Sequence, residues 1–294
     1  MDAKKLKTTE ESRKPKVIAV VGLGLIGGSF ALAAKAKGLA SHIIGIDNNT
    51  EHQKQALELA IVDEIFPLEE AILKSELIVL AVPVNAVASM LPGILDKVDQ
   101  QVVIEMGSTK ESVVKVVEHH AKRGRFVATH PMWGTEYSGP QAAQKDAFIN
   151  KAVIICDAAN SDADALHQIE ELYKTIGMNL VYMDAVAHDL HAAYVSHISH
   201  ITSFALANTV LEKEKEDDAI FELASGGFES TVRLAKSNPS MWVPIFKQNR
   251  ENVLDVLNEH ISQLRKFKSC LEKENYEYLQ ELIEHANGIK RILK

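Results

Sequence analysis

Three glycines at G-x-G-x-x-G spacing, Gly22, Gly24 and Gly27, interrupt the apolar run VIAVVGLGLIGGS at residues 17–29. A glycine at the first position permits a tight turn, at the second lets a pyrophosphate approach the backbone, and at the third lets a helix pack on a strand. A phosphate at such a turn meets free N–H groups and the positive end of the helix macrodipole. Asp47 follows twenty residues after Gly27, at the end of a second apolar run over 42–46. A carboxylate there can hold the ribose hydroxyls of a dinucleotide, and its charge would repel a 2′-phosphate. No Arg follows within residues 48–51 to offset that charge, so the stretch reads as a site for NAD rather than NADP. Its expected contacts are Gly22, Gly24, Leu25, Ile26, Gly27 and Asp47, with Val82 and Pro83 at the end of a later strand.

In parallel sheets ligands lie beyond the carboxyl ends of the strands. The apolar run 101–106 leads into Gly107, Ser108, Thr109 and Lys110, and the run 125–129 leads into His130 and the segment HPMWGTEYSGP. Ser108 also suits an N-cap of the following helix. Four histidines lie between His188 and His200. On one uniform helix, His188 and His191 would point about 120° to 180° away from His197 and His200, at about 100° per residue. Two pairs on separate faces cannot chelate one ion, and no cysteine or carboxylate cluster completes a set, so no metal is expected. One histidine of SHISH, residues 196–200, is expected to face the cleft. Arg233, in the amphipathic STVRLA, would need an anionic partner near an apolar face. Trp242 reads first as a core residue.

These residues are held by an alternation of elements. Apolar strand runs at 76–82, 101–106, 125–130, 152–156 and 179–183 alternate with helical patterns at 51–59, 69–74, 86–98 (interrupted near Pro92 and Gly93), 110–123 and 162–176. Strands that read as solid apolar runs between helices mean a mostly parallel sheet covered on both faces. Beyond residue 183 the pattern is helical, over 184–211, 218–224, 241–271 and 276–293, with breaks at Gly226-Gly227 and Asn238-Pro239 and with Pro244 in a first turn. The expected fold is therefore α/β: a polar tail over 1–16, a doubly wound Rossmann domain over 17–183, and an all-helical domain over 184–294. Val253, Leu254, Leu257, Ile261, Leu264 and Phe267 cover a wide arc of one late helix, which suits packing against a second subunit in a homodimer.

Composition narrows the partners. The chain has 294 residues, 46% hydrophobic and 24% charged, which suits a soluble globular protein. Its net charge of −8 argues against nucleic acid, whose binding rests on basic surface. No apolar run approaches a membrane span, and residues 1–16 do not resemble a signal peptide. Two distant cysteines, Cys156 and Cys270, suit reduced thiols in the cytoplasm, with Cys156 in the core.

Several motifs in order, VVGLGLIGGS, GSTK, THPMWGTEYSG, DAVAHDLHAAYVSHISH and SGGFESTVRLAKSNPSMW, resemble the prephenate dehydrogenase family over nearly the whole chain from Val17. The resemblance implies oxidative decarboxylation of prephenate by NAD in tyrosine biosynthesis, with arogenate as the competing substrate. It implies that His130 is catalytic and accepts a hydrogen bond from the substrate hydroxyl, and that Ser108 contacts both. Arg233 would clamp a substrate carboxylate, and His200 and Trp242 would bind substrate, Trp242 in its own or the partner subunit. Thr135 and Glu136 would lie at the mouth of the pocket, and His197 would support helix packing. Many relatives carry Arg or Lys where this chain has Glu229, which removes the basis for a substrate role there. A β-hydroxyacid-type dehydrogenase shares the glycine motif but not HPMWGTE or SHISH, and a non-catalytic NAD-binding dimer is the reading of another class.

Overall fold

The computed structural model describes residues 15–215 and 222–292. Of the expected polar tail, residues 1–14 lie outside the described residues, and Lys16 already opens the first strand. The expected helix over 218–224 also falls mostly outside them.

The described chain forms two compact units that divide between Asn249 and Arg250. The first is built on an eight-stranded sheet of order β3-β2-β1-β4-β5-β6-β7-β8. The strands are β1 Lys16–Val21, β2 Ala40–Ile46, β3 Glu64–Ile65, β4 Leu77–Leu80, β5 Val102–Glu105, β6 Phe126–Pro131, β7 Ala152–Cys156 and β8 Asn179–Met183. Central strands β4 and β5 are buried at every position, because helices cover both faces. The helices of this half are α1 Leu25–Ala36, α2 Thr50–Glu58, α3 Leu68–Lys74, α4 Val84–Lys97, α5 Glu111–Lys115 and α6 Ala163–Ile176. One apolar cluster on Phe30, Ile43, Phe148 and Tyr173 and another on Leu80, Leu91, Val103 and Phe126 form the two covered faces.

Strands β1 to β6 are parallel, whereas β7 runs antiparallel to β6 and β8 parallel to β7. The reversal has a use. It sends β8 away from the carboxyl end of β6, so α7, Ala185–Ala192, starts beside Cys156 and climbs back towards His130. His130 pairs with Ile154, two residues from Cys156, a separation of about 7 Å along a strand. Four helical residues from Asp184 to His188 rise about 6 Å, which matches it.

After α7 the chain passes through a single π turn, Ala193–His197, into α8, Ile198–Glu214. Two further helices, α9 Gly226–Val232 and α10 Pro239–Gln248, complete the first unit. The second unit is a helical hairpin of α11, Arg250–Glu272, and α12, Tyr276–Ala286, followed by a 3-10 turn.

Several local expectations are corrected. Helix α4 runs through Pro92 without a break, because Val84, Val87, Leu91, Ile94 and Leu95 bury one face and offset the lost hydrogen bond. Pro244 lies inside α10 rather than in its first turn, because the helix starts earlier, at Pro239, where Asn238 accepts from the Ser240 N–H. Gly226 and Gly227 open a helix instead of interrupting one. The helix expected over 110–123 is only the five residues of α5. The two-residue β3 carries too few side chains to show a period.

Candidate active site

The glycine turn is held by contacts that a side chain would destroy. Gly22 has φ +94°, and a Cβ there would lie 2.5 Å from the Ala81 carbonyl oxygen and 2.9 Å from Val82. A Cβ on Gly27 would lie 1.9 Å from the Gly22 carbonyl oxygen. Gly24 differs: a Cβ there would meet nothing within 4 Å, and the start of α1 has no side-chain cap. An open backbone at an uncapped helix start is the cradle a pyrophosphate requires. Asp47 closes the turn from β2, its Oδ2 accepting from the Leu23 N–H at 2.8 Å and its Oδ1 from the Asn49 N–H at 2.8 Å. Leu25 and Ile26 are half-buried beside this turn, and exposed Pro83 precedes α4.

Across the sheet, β6 delivers His130, which is 8% exposed. Its Nδ1 lies 2.8 Å from His188 Nε2, and His188 Nδ1 lies 2.8 Å from Asp189 Oδ1. A carboxylate oxygen only accepts, so the network assigns the proton to His188 Nδ1. His188 Nε2 then accepts from His130 Nδ1, and His130 Nε2 keeps its lone pair. Burial pushes the His130 pKa well below that of an ordinary histidine, with His188, Lys110 and His197 acting in the same sense. Burial also lowers His188, against the pull of Asp189. The pair is therefore a neutral base backed by an oriented neutral imidazole.

Asp189 joins this relay to the Ser108 loop. Its Oδ1 accepts from the Lys110 N–H at 2.7 Å and its Oδ2 from the Glu111 N–H at 3.0 Å. These bonds cap α5 from another helix, which corrects the expected capping role of Ser108: the residue before α5 is Lys110, and no side chain of that position caps it. Ser108 is half-buried at the end of β5. Beneath it, the Lys110 ammonium pairs with Glu105, both side chains fully buried, and Glu105 Oε2 accepts from the Gly107 N–H at 2.7 Å. Burial raises the Glu105 pKa, with Lys110 pulling it back.

The helical residues form a second group. His200 stacks on Trp242 at 3.5 Å between ring centroids, and His197 meets Trp242 edge-on at 5.9 Å. His200 Nδ1 donates to the Ser196 carbonyl at 3.1 Å. Asn249 donates to the Asp189 carbonyl at 2.6 Å and to His197 Nδ1 at 3.1 Å. Burial brings the His197 pKa down to about 4, while the Ser108 backbone acts the other way without meeting full hydrogen-bond geometry. Trp242 is 5% exposed, and its indole N–H has no partner among the described residues. Trp242 is thus placed as a core residue, with one face covered by His200. Arg233 pairs with Glu136 at 2.7 Å, and Thr135 accepts from the Tyr137 N–H at 3.3 Å in the same segment. Hydrogen bonding to its own backbone and to Arg233 keeps Glu136 below the usual carboxylate range.

The described positions expected to form a site fall into these groups: the glycine turn with Asp47 and Val82, Ser108 with the buried histidines, His200 with Trp242, and Arg233 with Glu136. Sequence reasoning missed His188, Asp189, Lys110 and Asn249, and it placed His188 on a face turned from His197 and His200. The π turn overturns that geometry, because it takes in one more residue than an α turn. Among the described residues, no group of three or more His, Cys, Asp or Glu side chains is arranged to hold a metal ion.

Comparison with known proteins places the chain in a family. Residues 30–182 match the family model described as prephenate dehydrogenase, nucleotide-binding domain, and residues 184–285 match prephenate dehydrogenase, dimerization domain. A prephenate dehydrogenase of Bacillus subtilis is 32% identical over 93% of this chain and 75% of its own. A cyclohexadienyl dehydrogenase of Zymomonas mobilis is 30% identical over 95% of this chain and 96% of its own. The crystal structure of prephenate dehydrogenase from A. aeolicus in complex with hydroxyphenyl propionate and NAD+ superposes with a TM-score of 0.83 at 28% identity, over 94% of this chain and 97% of that one. With both halves matched and the similarity spanning almost all of its length, the chain belongs to the prephenate dehydrogenase family.

Proposed function

We propose that the protein oxidatively decarboxylates prephenate with NAD, giving 4-hydroxyphenylpyruvate and carbon dioxide. The observation that carries this reading is the chain Asp189–His188–His130, which leaves one neutral imidazole nitrogen of His130 as an acceptor. The ring carbon bearing the hydroxyl gives up hydride, the bond to the ring carboxylate breaks as carbon dioxide leaves, and the ring becomes aromatic. His130 Nε2 accepts the hydrogen bond of the hydroxyl and polarises it as hydride departs. Ser108 steadies the same hydroxyl, and Arg233 exchanges Glu136 for a substrate carboxylate. That exchange is cheap, because the Arg233 side chain is 47% exposed and such pairs contribute little. His200, backed by Trp242, lines the side-chain end of the substrate.

NAD supplies the hydride acceptor when bound. The turn at Gly22, Gly24 and Gly27 would hold its pyrophosphate and Asp47 its ribose, with Leu25, Ile26, Val82 and Pro83 along its length. On this reading residues 17–183 carry the cofactor together with Ser108 and His130, and the helical residues after 183 bring His200, Arg233 and Trp242 to the substrate.

Mixing the protein with NAD and prephenate and following the absorbance of reduced nicotinamide tests the reading. A rise with prephenate is expected; a rise with arogenate alone would assign the amino substrate instead, and no rise with either would overturn the proposal.

The helical half is proposed to form a homodimer. The dimerization model over 184–285 supports this, as do exposed Leu254, Ile261 and Leu264 on α11. An open apolar groove of about 520 Å³ among Phe204, Leu211, Phe228, Val232, Trp242 and Phe246 supports it further. A monomer by sedimentation would overturn it. Among the described residues no helix is long and apolar enough to cross a membrane. Two free cysteines agree with a cytoplasmic enzyme that takes a small-molecule substrate and no nucleic acid.

A further inference from the structure

The π turn at Ala193–His197 separates two helices that would otherwise run as one, and the Ile198 N–H reaches back five residues to the Ala193 carbonyl. Nothing in AYVSH demands it, for the segment holds neither proline nor glycine. A π turn is rare and appears mostly as one turn inside an α-helix. Its geometric effect is specific. On an uninterrupted helix, His200 would be rotated about 120° and His197 about 180° from His188. One extra residue in the turn winds both back by about 100°, to about 20° and about 80°.

The contacts agree with that rotation. His188 reaches His130, while His197 and His200 both reach Trp242. His197 is also tied to the residue beside His188 through Asn249, which donates to His197 Nδ1 and to the Asp189 carbonyl. The His200 ring further donates to the carbonyl of Ser196, a residue of the π turn itself.

We infer that the π turn Ala193–His197 is a positioning element for the reaction: it places His188, which orients the catalytic His130, and His200 on the substrate side, with the buried His197 that packs behind it, on one helix face. The inference rests on the proposed role of this cleft, and parental turnover of prephenate tests that role separately.

Two variants test it. Deleting Val195, a residue 67% exposed, turns the π turn into an α turn and, on the same count, leaves His200 about 20° and His197 about 80° from His188. This variant is expected to bind NAD as the parent does and to keep prephenate turnover within about threefold. Inserting an alanine after Val195, with Thr202 deleted so that the register from Ser203 onward is kept, rotates His197 and His200 by about 100°. The insertion variant is expected to bind NAD as the parent does and to lose about a hundredfold or more in prephenate turnover, with KM raised as well. Turnover within threefold of the parent in the insertion variant would overturn the inference, as would a hundredfold loss in the deletion variant, which would show that the turn acts through something other than the bearing of the rings. Loss of NAD binding in both would make the turn a folding element instead of a positioning one.

Discussion

His130 and His188 share one hydrogen bond, Nδ1 to Nε2 at 2.8 Å, and its direction is set by a third residue, Asp189. The consequence is that the reactive nitrogen of His130 is chosen by a side chain that does not touch it. His188→Asn should therefore lower kcat by about a hundredfold, within the range for acid–base groups, and change KM less. Steady-state kinetics with NAD and prephenate checks this, and an unchanged kcat would mean that His130 holds its tautomer without help.

The second and third glycines of the turn should behave oppositely. Gly24→Ala meets no atom within 4 Å and sits at φ −74°, which alanine adopts, so the fold should survive while the NAD dissociation constant rises about tenfold or more. Gly27→Ala drives a Cβ to 1.9 Å from the Gly22 carbonyl oxygen and should abolish folding of the turn. Thermal melts alongside cofactor titration separate the two outcomes.

Arg233→Ala should raise the KM for prephenate about tenfold or more at nearly constant kcat, since a carboxylate clamp acts in binding. Glu136→Gln should leave KM unchanged or lower it, because the carboxylate that competes with substrate for Arg233 is gone. A higher KM in Glu136→Gln would place Glu136 on the substrate instead.

Burial lowers the pKa values of His130, His188 and His197. In each case the unfolded chain takes up its proton first, near the ordinary value of about 6.5, so the stabilising contribution is complete above that pH and is lost as pH falls. For His197 the loss continues down to about 4. The melting temperature should decline steadily as pH drops below about 6.5. A flat profile through that range would show that the three rings are not held neutral.

Much of this architecture was legible in the sequence, for identifiable reasons. The glycine turn, Asp47 and the solid strands β4 and β5 were readable because local sterics and two-sided burial leave a strong pattern. The direction of β7 was not, since AVIIC reads alike in either sense. The π turn was hidden because AYVSH has ordinary helical composition, and with it went the true bearing of His197 and His200 relative to His188. Ser108 was readable as a strand-end residue, but its expected capping role belongs to Asp189, more than seventy residues away, where no local pattern could point.

The buried pair of Lys110 and Glu105 constrains how this protein can change. Removing either partner alone strands a charge in the interior, at a cost of about 3–5 kcal/mol, against total stabilities of about 5–15 kcal/mol. Replacing both with apolar residues of similar volume is often neutral. The floor beneath Ser108 is therefore rebuilt at least cost by paired substitution, and single substitutions there consume a large share of the protein's stability.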